Sequence, residues 1–207
     1  MKERAGEYVT DADYDYLIQD DCDAFNEEGE PIFFFRKNQI PSNICKSAYH
    51  ALREAATQTN NRGFAGGEVS EDQKNDNMVK VRKTGLKVIK KDGTVSNTTR
   101  ANVVNSGIVG YFDRNPRFPY CRQTAWFAKN FEKVNNAYPY IKIIDGLFKK
   151  ACPERYAAQK AYADKTHEDW ILGNTVFTTI TVNKNFKTAL HTDAGDCKEG
   201  LGNLAVL

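Results

Sequence analysis

Apolar positions along the chain change period several times, and each change marks an element. Pro31-Ile32-Phe33-Phe34-Phe35 is a continuous apolar run, short enough to predict a buried strand. Ser42 then stands at an N-cap position. Cys45, Ala48, Leu52, Ala55 and Ala56 recur after it at helical spacing, which predicts an amphipathic helix reaching Gln58. The polar run Asn60-Asn61-Arg62-Gly63-Phe64-Ala65-Gly66-Gly67 breaks that helix with three glycines. Met78-Val79-Lys80-Val81 and Leu86-Lys87-Val88-Ile89, with turns at Thr84-Gly85 and Asp92-Gly93, predict a hairpin or two over residues 78–98. Ser106 to Phe112 reads as a strand. The stretch from Thr124 to Lys165 reads as mostly helical, with Pro139 and Pro153 placed to start helices. Thr175 to Val182 is rich in β-branched residues and predicts a strand, and Gly202 to Leu207 begins another. The class is α+β, with helices in the middle of the chain and a β-rich C-terminal end.

No repeat, low-complexity tract or linker divides the 207 residues, a length that predicts one domain, or one plus an extension. Hydrophobic residues at 41% and charged residues at 27% exclude global disorder. Lys and Arg number 29 against 27 acids, a formal charge of +2 that hides local segregation. Residues 10–30 carry nine acids and no base, and read as a solvated edge; residues 1–30 are accordingly an acidic N-terminal extension. Lys80, Arg82, Lys83, Lys87, Lys90 and Lys91 form a basic block with no acid among them. Such a ribbon suits a nucleic-acid backbone, and equally suits an exposed hairpin kept soluble at its edge by lysines. No apolar run approaches the ~18 residues of a membrane span, and the N-terminus lacks the hydrophobic stretch of a secretory signal. Five scattered cysteines without a Cys-x-x-Cys support neither a zinc ribbon nor a disulfide framework, so a soluble protein of a reducing compartment is expected.

The residues with the clearest chemistry are His191-Thr192-Asp193. In an extended segment, side chains at i and i+2 face the same way, so an imidazole and a carboxylate can converge on one metal ion. One further imidazole would complete the facial triad of non-haem Fe(II) oxygenases, which leaves open positions for co-substrate and dioxygen. A plain hydrogen-bonded His–Asp pair is the competing reading. No Gly-x-Ser-x-Gly, phosphate loop or dinucleotide fingerprint offers a nucleophilic or nucleotide-binding alternative.

Several ordered blocks resemble the TET/JBP family of Fe(II)/2-oxoglutarate-dependent dioxygenases, particularly its phage and microbial members. They are Thr178 to Phe186, His191-Thr192-Asp193-Ala194-Gly195-Asp196 and Gly200 to Leu204. Upstream, Asn61-Arg62-Gly63, Ser106 to Asp113, Cys121-Arg122-Gln123-Thr124-Ala125 and Pro153 to Gln159 also resemble family blocks. The resemblance implies a double-stranded β-helix (jelly-roll) core with N-terminal helices and hairpins packed on it, of which residues 31–207 would be the N-terminal portion. It implies hydroxylation of the 5-methyl group of thymine or 5-methylcytosine in DNA, with Fe(II) as cofactor and 2-oxoglutarate as co-substrate.

By the same resemblance His191 and Asp193 are the first two iron ligands, and Asp196 lies near the target base or co-substrate. Arg122 holds the co-substrate carboxylate or a DNA phosphate, against the alternative of a surface salt bridge. Asn183 and Asn185 buttress the iron-binding strand. The family pattern also includes a distal His and a 2-oxoglutarate-binding Arg, yet none of the 14 residues after Asp193 is His or Arg. His50 and His167 fall upstream, in predicted helices. A second polypeptide supplying the missing groups is therefore expected. The alternatives are a catalytically inactive DNA-binding or assembly fragment, or a dioxygenase acting on a protein or small molecule. The expected setting is cytoplasmic, in a phage-infected bacterium, with a nuclear location the alternative.

Overall fold

The computed structural model describes residues 4–69, 75–82, 85–193 and 196–207. Lys83 of the basic block, and Ala194 and Gly195 after the His-x-Asp, lie outside the described residues. In chain order the elements are β1 (Cys22–Phe25), β2 (Pro31–Phe35), α1 (Ser42–Leu52), β3 (Thr57–Thr59), β4 (Met78–Arg82), β5 (Gly85–Ile89), β6 (Val95–Arg100) and β7 (Val104–Phe112). There follow β8 (Arg122–Gln123), α2 (Ala125–Lys129), α3 (Phe131–Asn135), α4 (Tyr138–Ala151), α5 (Pro153–Ala163) and β9 (Thr179–Asn183). Helices and antiparallel sheets together make the chain α+β. Among the described residues, no helix is long and apolar enough to cross a membrane.

The chain divides into two compact units. Unit 1 comprises Met1–Tyr14, Ala56–Gly107 and Asn183–Gly195. In it β5 is the middle strand of an antiparallel sheet ordered β4-β5-β6, and β3 pairs with the start of β7, Thr57 opposite Ser106. Thr57–Thr59 thus pairs as a strand where helical spacing predicts helix. The helix stops at Leu52 and a short 3-10 turn, Arg53–Ala55, precedes β3. Ser42 is the first helical residue, and the N-cap position belongs to Pro41.

Unit 2 comprises Asp15–Ala55, Ile108–Val182 and Asp196–Leu207. Its core gathers Ala48, Leu52, Val109, Phe127, Val134, Ile141 and Leu172. Tyr111 makes edge-to-face contacts with Phe127 (5.1 Å) and Trp170 (5.3 Å). Each of the buried Leu, Val, Ile and Phe side chains gains about 1.5–3 kcal/mol by leaving water. In α4, Tyr140, Ile141, Ile144 and Phe148 recur on one stripe; the first, second and last are buried and Ile144 is half-buried. Pro139 sits in the first turn of α4, and Pro153 opens α5 at a position where the missing N–H is not needed. In the outer part of β7, Tyr111 pairs with Gln123 of β8, and its N–H also donates to the Thr178 carbonyl just before β9 (3.0 Å).

Four expectations need correction. Pro31–Phe35 is a strand but not a buried one: Ile32 is 59% exposed, and Phe33 and Phe35 are exposed as well. Its partner is β1, drawn from the acidic stretch, so the pair is a two-stranded ribbon with no second layer over both faces. Regular strand begins at Thr179 rather than Thr175. Asn174 adopts a left-handed conformation, and the Thr175 hydroxyl donates to the Leu172 carbonyl, which makes a turn of that stretch. Gly202 to Leu207 forms no strand, and Leu204 and Val206 are 94% and 90% exposed, because an extended segment without a pairing partner gains no ladder. His167 is not helical; it caps a 3-10 turn, its Nδ1 accepting from the Asp169 N–H.

Candidate metal centre

The segment that carries His191 leaves β9 at Asn183 and turns through Asn185, whose φ of 48° lies in the left-handed region that asparagine tolerates. The Asn183 Oδ1 accepts a 2.6 Å hydrogen bond from Ser106 Oγ, which ties the end of β9 to β7 within unit 1. Ala189 is buried, and its N–H donates to the Ala65 carbonyl (3.0 Å). Leu190 is bonded on both sides by the N-terminal segment: its N–H donates to Glu7, and its carbonyl accepts from Gly6. His191 therefore starts from a backbone held by two other stretches of chain.

The His191 Nδ1 lies 2.8 Å from the Ala189 carbonyl oxygen. A carbonyl only accepts, so Nδ1 is the nitrogen that carries hydrogen. In the neutral ring Nε2 then bears a lone pair, and it lies 3.6 Å from Asp193 Oδ2. That separation is too long for a hydrogen bond. Two electron-pair donors facing each other repel unless a cation stands between them. A divalent first-row metal about 2.0–2.2 Å from each ligand spans such a gap, and a ligating imidazole commonly donates its other N–H to a backbone carbonyl. The donor set, one imidazole and one carboxylate, suits Fe(II). The pair fits an iron ion as two of its ligands. Among the described residues, no third His, Cys, Asp or Glu completes a metal-binding group.

Arg62 belongs to the same unit, in the residue before the 3-10 turn Gly63–Gly66. Its guanidinium is half-buried, and Nε is buried without a hydrogen-bond partner. Burial lowers its pKa below the ordinary arginine value, and the negative charge of Asp193 opposes that shift. Arg62 therefore feels the candidate ligand, a relation that spacing alone does not reveal. Its sequence signal is the block Asn61-Arg62-Gly63.

The remaining site residues are dispersed. Arg122 belongs to unit 2, stacked on the rings of Phe112 (4.6 Å) and Phe118 (4.4 Å) with its Nε buried and unpartnered. These contacts are cation–π in kind. Asp196 is exposed and also belongs to unit 2, and Asn185 is exposed in its turn. In the ribbon, Lys80 stands opposite Leu86, and Lys87 opposite Val79. Neighbouring cross-strand pairs point to opposite faces, so Lys80 and Lys87 do not share one. Lys80 lies 3.8 Å from Glu68, and Lys90 and Lys91 are exposed at the β5–β6 turn. Arg82 closes β4.

Residues 107–207 match the Tet_JBP model, the oxygenase domain of the 2OGFeDO superfamily. That model describes an oxygenase domain, and its superfamily is named for 2-oxoglutarate and iron. The chain is similar to the TET/JBP family. It is 29% identical over 205 residues to the bifunctional helicase and thymine dioxygenase JBP2 of Trypanosoma cruzi (strain CL Brener), an alignment covering 97% of this chain and 16% of that protein. It is 29% identical over 188 residues to JBP2 of Leishmania tarentolae, covering 88% of this chain and 14% of the relative. Over 104 residues it is 41% identical to thymine dioxygenase JBP1-B of Trypanosoma cruzi, covering 49% of this chain and 12% of that protein. The chain spans less than a fifth of the length of these relatives. No solved structure matches it.

Proposed function

We propose that this chain carries the first part of an Fe(II)/2-oxoglutarate-dependent dioxygenase that hydroxylates the 5-methyl group of a pyrimidine in DNA. The supporting observation is the His191–Asp193 pair, with Nε2 3.6 Å from the carboxylate and Nδ1 engaged by the Ala189 carbonyl. Relatives named thymine dioxygenases favour thymine over 5-methylcytosine as the base. A double-stranded β-helix core is part of the proposal, supported by the antiparallel pairing of β7 with β8 and the 2OGFeDO match.

In this reading His191 Nε2 and an Asp193 oxygen hold the iron, and the Ala189 carbonyl keeps the ring in the ligating tautomer. Bound iron, with 2-oxoglutarate and dioxygen, supplies the oxidising chemistry that turns a methyl group into a hydroxymethyl group. Arg122, immobilised between two rings, offers its guanidinium to the co-substrate carboxylate or to a DNA phosphate. Asp196 faces the base or co-substrate, while Asn183 and Asn185 keep the segment after β9 in place. Of the basic block Lys80, Arg82, Lys83, Lys87, Lys90 and Lys91, Lys90 and Lys91 at the β5–β6 turn meet phosphates, and Lys80 and Lys87 reach them only from opposite faces of the ribbon. The target base leaves the stack to reach the site. A third iron ligand and a 2-oxoglutarate-binding arginine join His191 and Asp193 in the active enzyme, from this polypeptide or from a second one, and the setting is cytoplasmic.

The test combines the full chain with a candidate C-terminal segment, Fe(II), 2-oxoglutarate and thymine-containing DNA. Hydroxymethylated base in digested DNA, absent with His191→Ala, is the expected result. No oxidised base together with no metal bound at His191 overturns the proposal.

A further inference from the structure

Residues 4–13 are fastened to unit 1 at several points, and those points converge on the residues just before His191. Gly6 N–H donates to the Leu190 carbonyl (2.8 Å), and Leu190 N–H donates to the Glu7 carbonyl (2.9 Å). On the other side, Glu68 N–H donates to the Gly6 carbonyl (3.1 Å). Gly6 is buried with φ of 94°, a conformation that a side chain would strain. The Tyr8 hydroxyl donates to the Gly66 carbonyl (3.2 Å), and its ring lies against Gly67 so closely that a Cβ there would come within 2.5–2.7 Å of it. Lys187 Nζ donates to the Val9 carbonyl (3.0 Å) and sits 5.6 Å from the centre of the Tyr8 ring. Arg4 pairs with both Glu7 and Asp13, which closes the segment on itself.

We infer that residues 4–9 are a positioning brace for the metal ligand, setting the backbone from which His191 takes its tautomer. The inference rests on the metal-site reading above. The Nδ1–Ala189 bond joins residues only two apart, so its 2.8 Å length depends on the local backbone of 189–191. Both backbone groups of Leu190, midway between them, are used by the brace. If that strip shifts, the ring loses its acceptor, and Nε2 ceases to be the only lone-pair nitrogen. Tyr8 anchors the brace to the Gly66–Gly67 turn, so displacing Tyr8 moves the brace without altering His191, Asp193 or their neighbours in sequence.

Gly67→Ala drives a methyl into the Tyr8 ring and also strains a backbone with φ of 82°, whereas Tyr8→Ala removes the same anchor from a side chain that is 39% exposed, without that strain. Both are made in the full chain, beside wild type and His191→Ala. The first readout is the His191 tautomer in the metal-free protein, from imidazole 15N shifts. The second is Co(II) affinity by titration. Wild type is expected to show hydrogen on Nδ1. Both variants should show a mixture of tautomers and a Co(II) affinity lower by about tenfold or more, the loss typical when a ligand's supporting partner is removed. An anchor with a merely structural role would lower the unfolding midpoint and leave both readouts of the folded protein unmoved. Wild-type tautomer, with Co(II) affinity within twofold in either variant, overturns the inference while the metal site stands. Wild-type protein that binds no Co(II) through His191 even with the candidate C-terminal segment added overturns both the inference and the proposed function.

Discussion

Replacing Gly110 by alanine tests how closely two stretches of unit 2 approach. The residue has φ of 121°, which only glycine adopts without strain, and a Cβ built there lies 2.3 Å from the Thr178 carbonyl oxygen and 3.1 Å from the Thr179 Cα. Both neighbours are backbone, so relief requires moving the start of β9 away from β7. Strain of this kind costs about 1–3 kcal/mol. The displaced Thr178 carbonyl also loses the Tyr111 N–H bond (3.0 Å), a further cost of about 1 kcal/mol. The expected destabilisation is about 2–4 kcal/mol, which at roughly 2 kcal/mol per molar urea lowers the midpoint by about 1–2 M. Trp126 and Trp170, both packed on the unit 2 core, report the transition by fluorescence. Gly146 is the control: it sits inside α4, and its added Cβ meets nothing within 4 Å. Gly146→Ala should stabilise by about 0.5–1 kcal/mol through helix propensity alone. Equal midpoints for wild type and Gly110→Ala, or destabilisation by Gly146→Ala, would refute the reasoning.

Phe127→Ala removes a ring with no exposure from the centre of the core, and should lower unfolding free energy by about 3–5 kcal/mol in the same urea assay. His191→Gln and Asp193→Asn should each abolish measurable Co(II) binding while leaving the far-UV circular dichroism spectrum intact. Asp13 is held down to about 2 by the Thr10 N–H and hydroxyl and by Arg4. Its folded pKa lies below the ordinary aspartate value of 3.8, so its contribution to stability is complete above that value and is lost as pH falls through about 2. Urea midpoints taken from pH 5 down to pH 2 should show this loss in wild type and not in Asp13→Asn. If the ribbon meets DNA, Lys90→Gln with Lys91→Gln should reduce the slope of log affinity against log salt by up to about two, read by fluorescence anisotropy.

Much of the chain was legible from local pattern. The mostly helical stretch from Thr124 to Lys165, the prolines that open α4 and α5, and the hairpin of β4 and β5 depend on residues a few positions apart, and the structure forms those elements. His191 and Asp193 could be singled out for the same reason, since a spacing of two places side chains on one face of an extended segment. What local pattern could not show is who lies opposite. An acidic stretch supplies β1 to pair with an apolar one, and Thr57–Thr59 leaves the helical period because Val104–Ser106 offers a ladder. Gly202 to Leu207 has strand composition and no partner, so it stays irregular and exposed.

The amino-acid order by itself determined which donors can meet, an imidazole and a carboxylate two residues apart, because backbone geometry ties nearest neighbours together. Only the tertiary structure decided which imidazole nitrogen faces the carboxylate, and which distant segment holds Leu190. Hydrogen bonds between residues far apart in sequence leave no periodic trace in it.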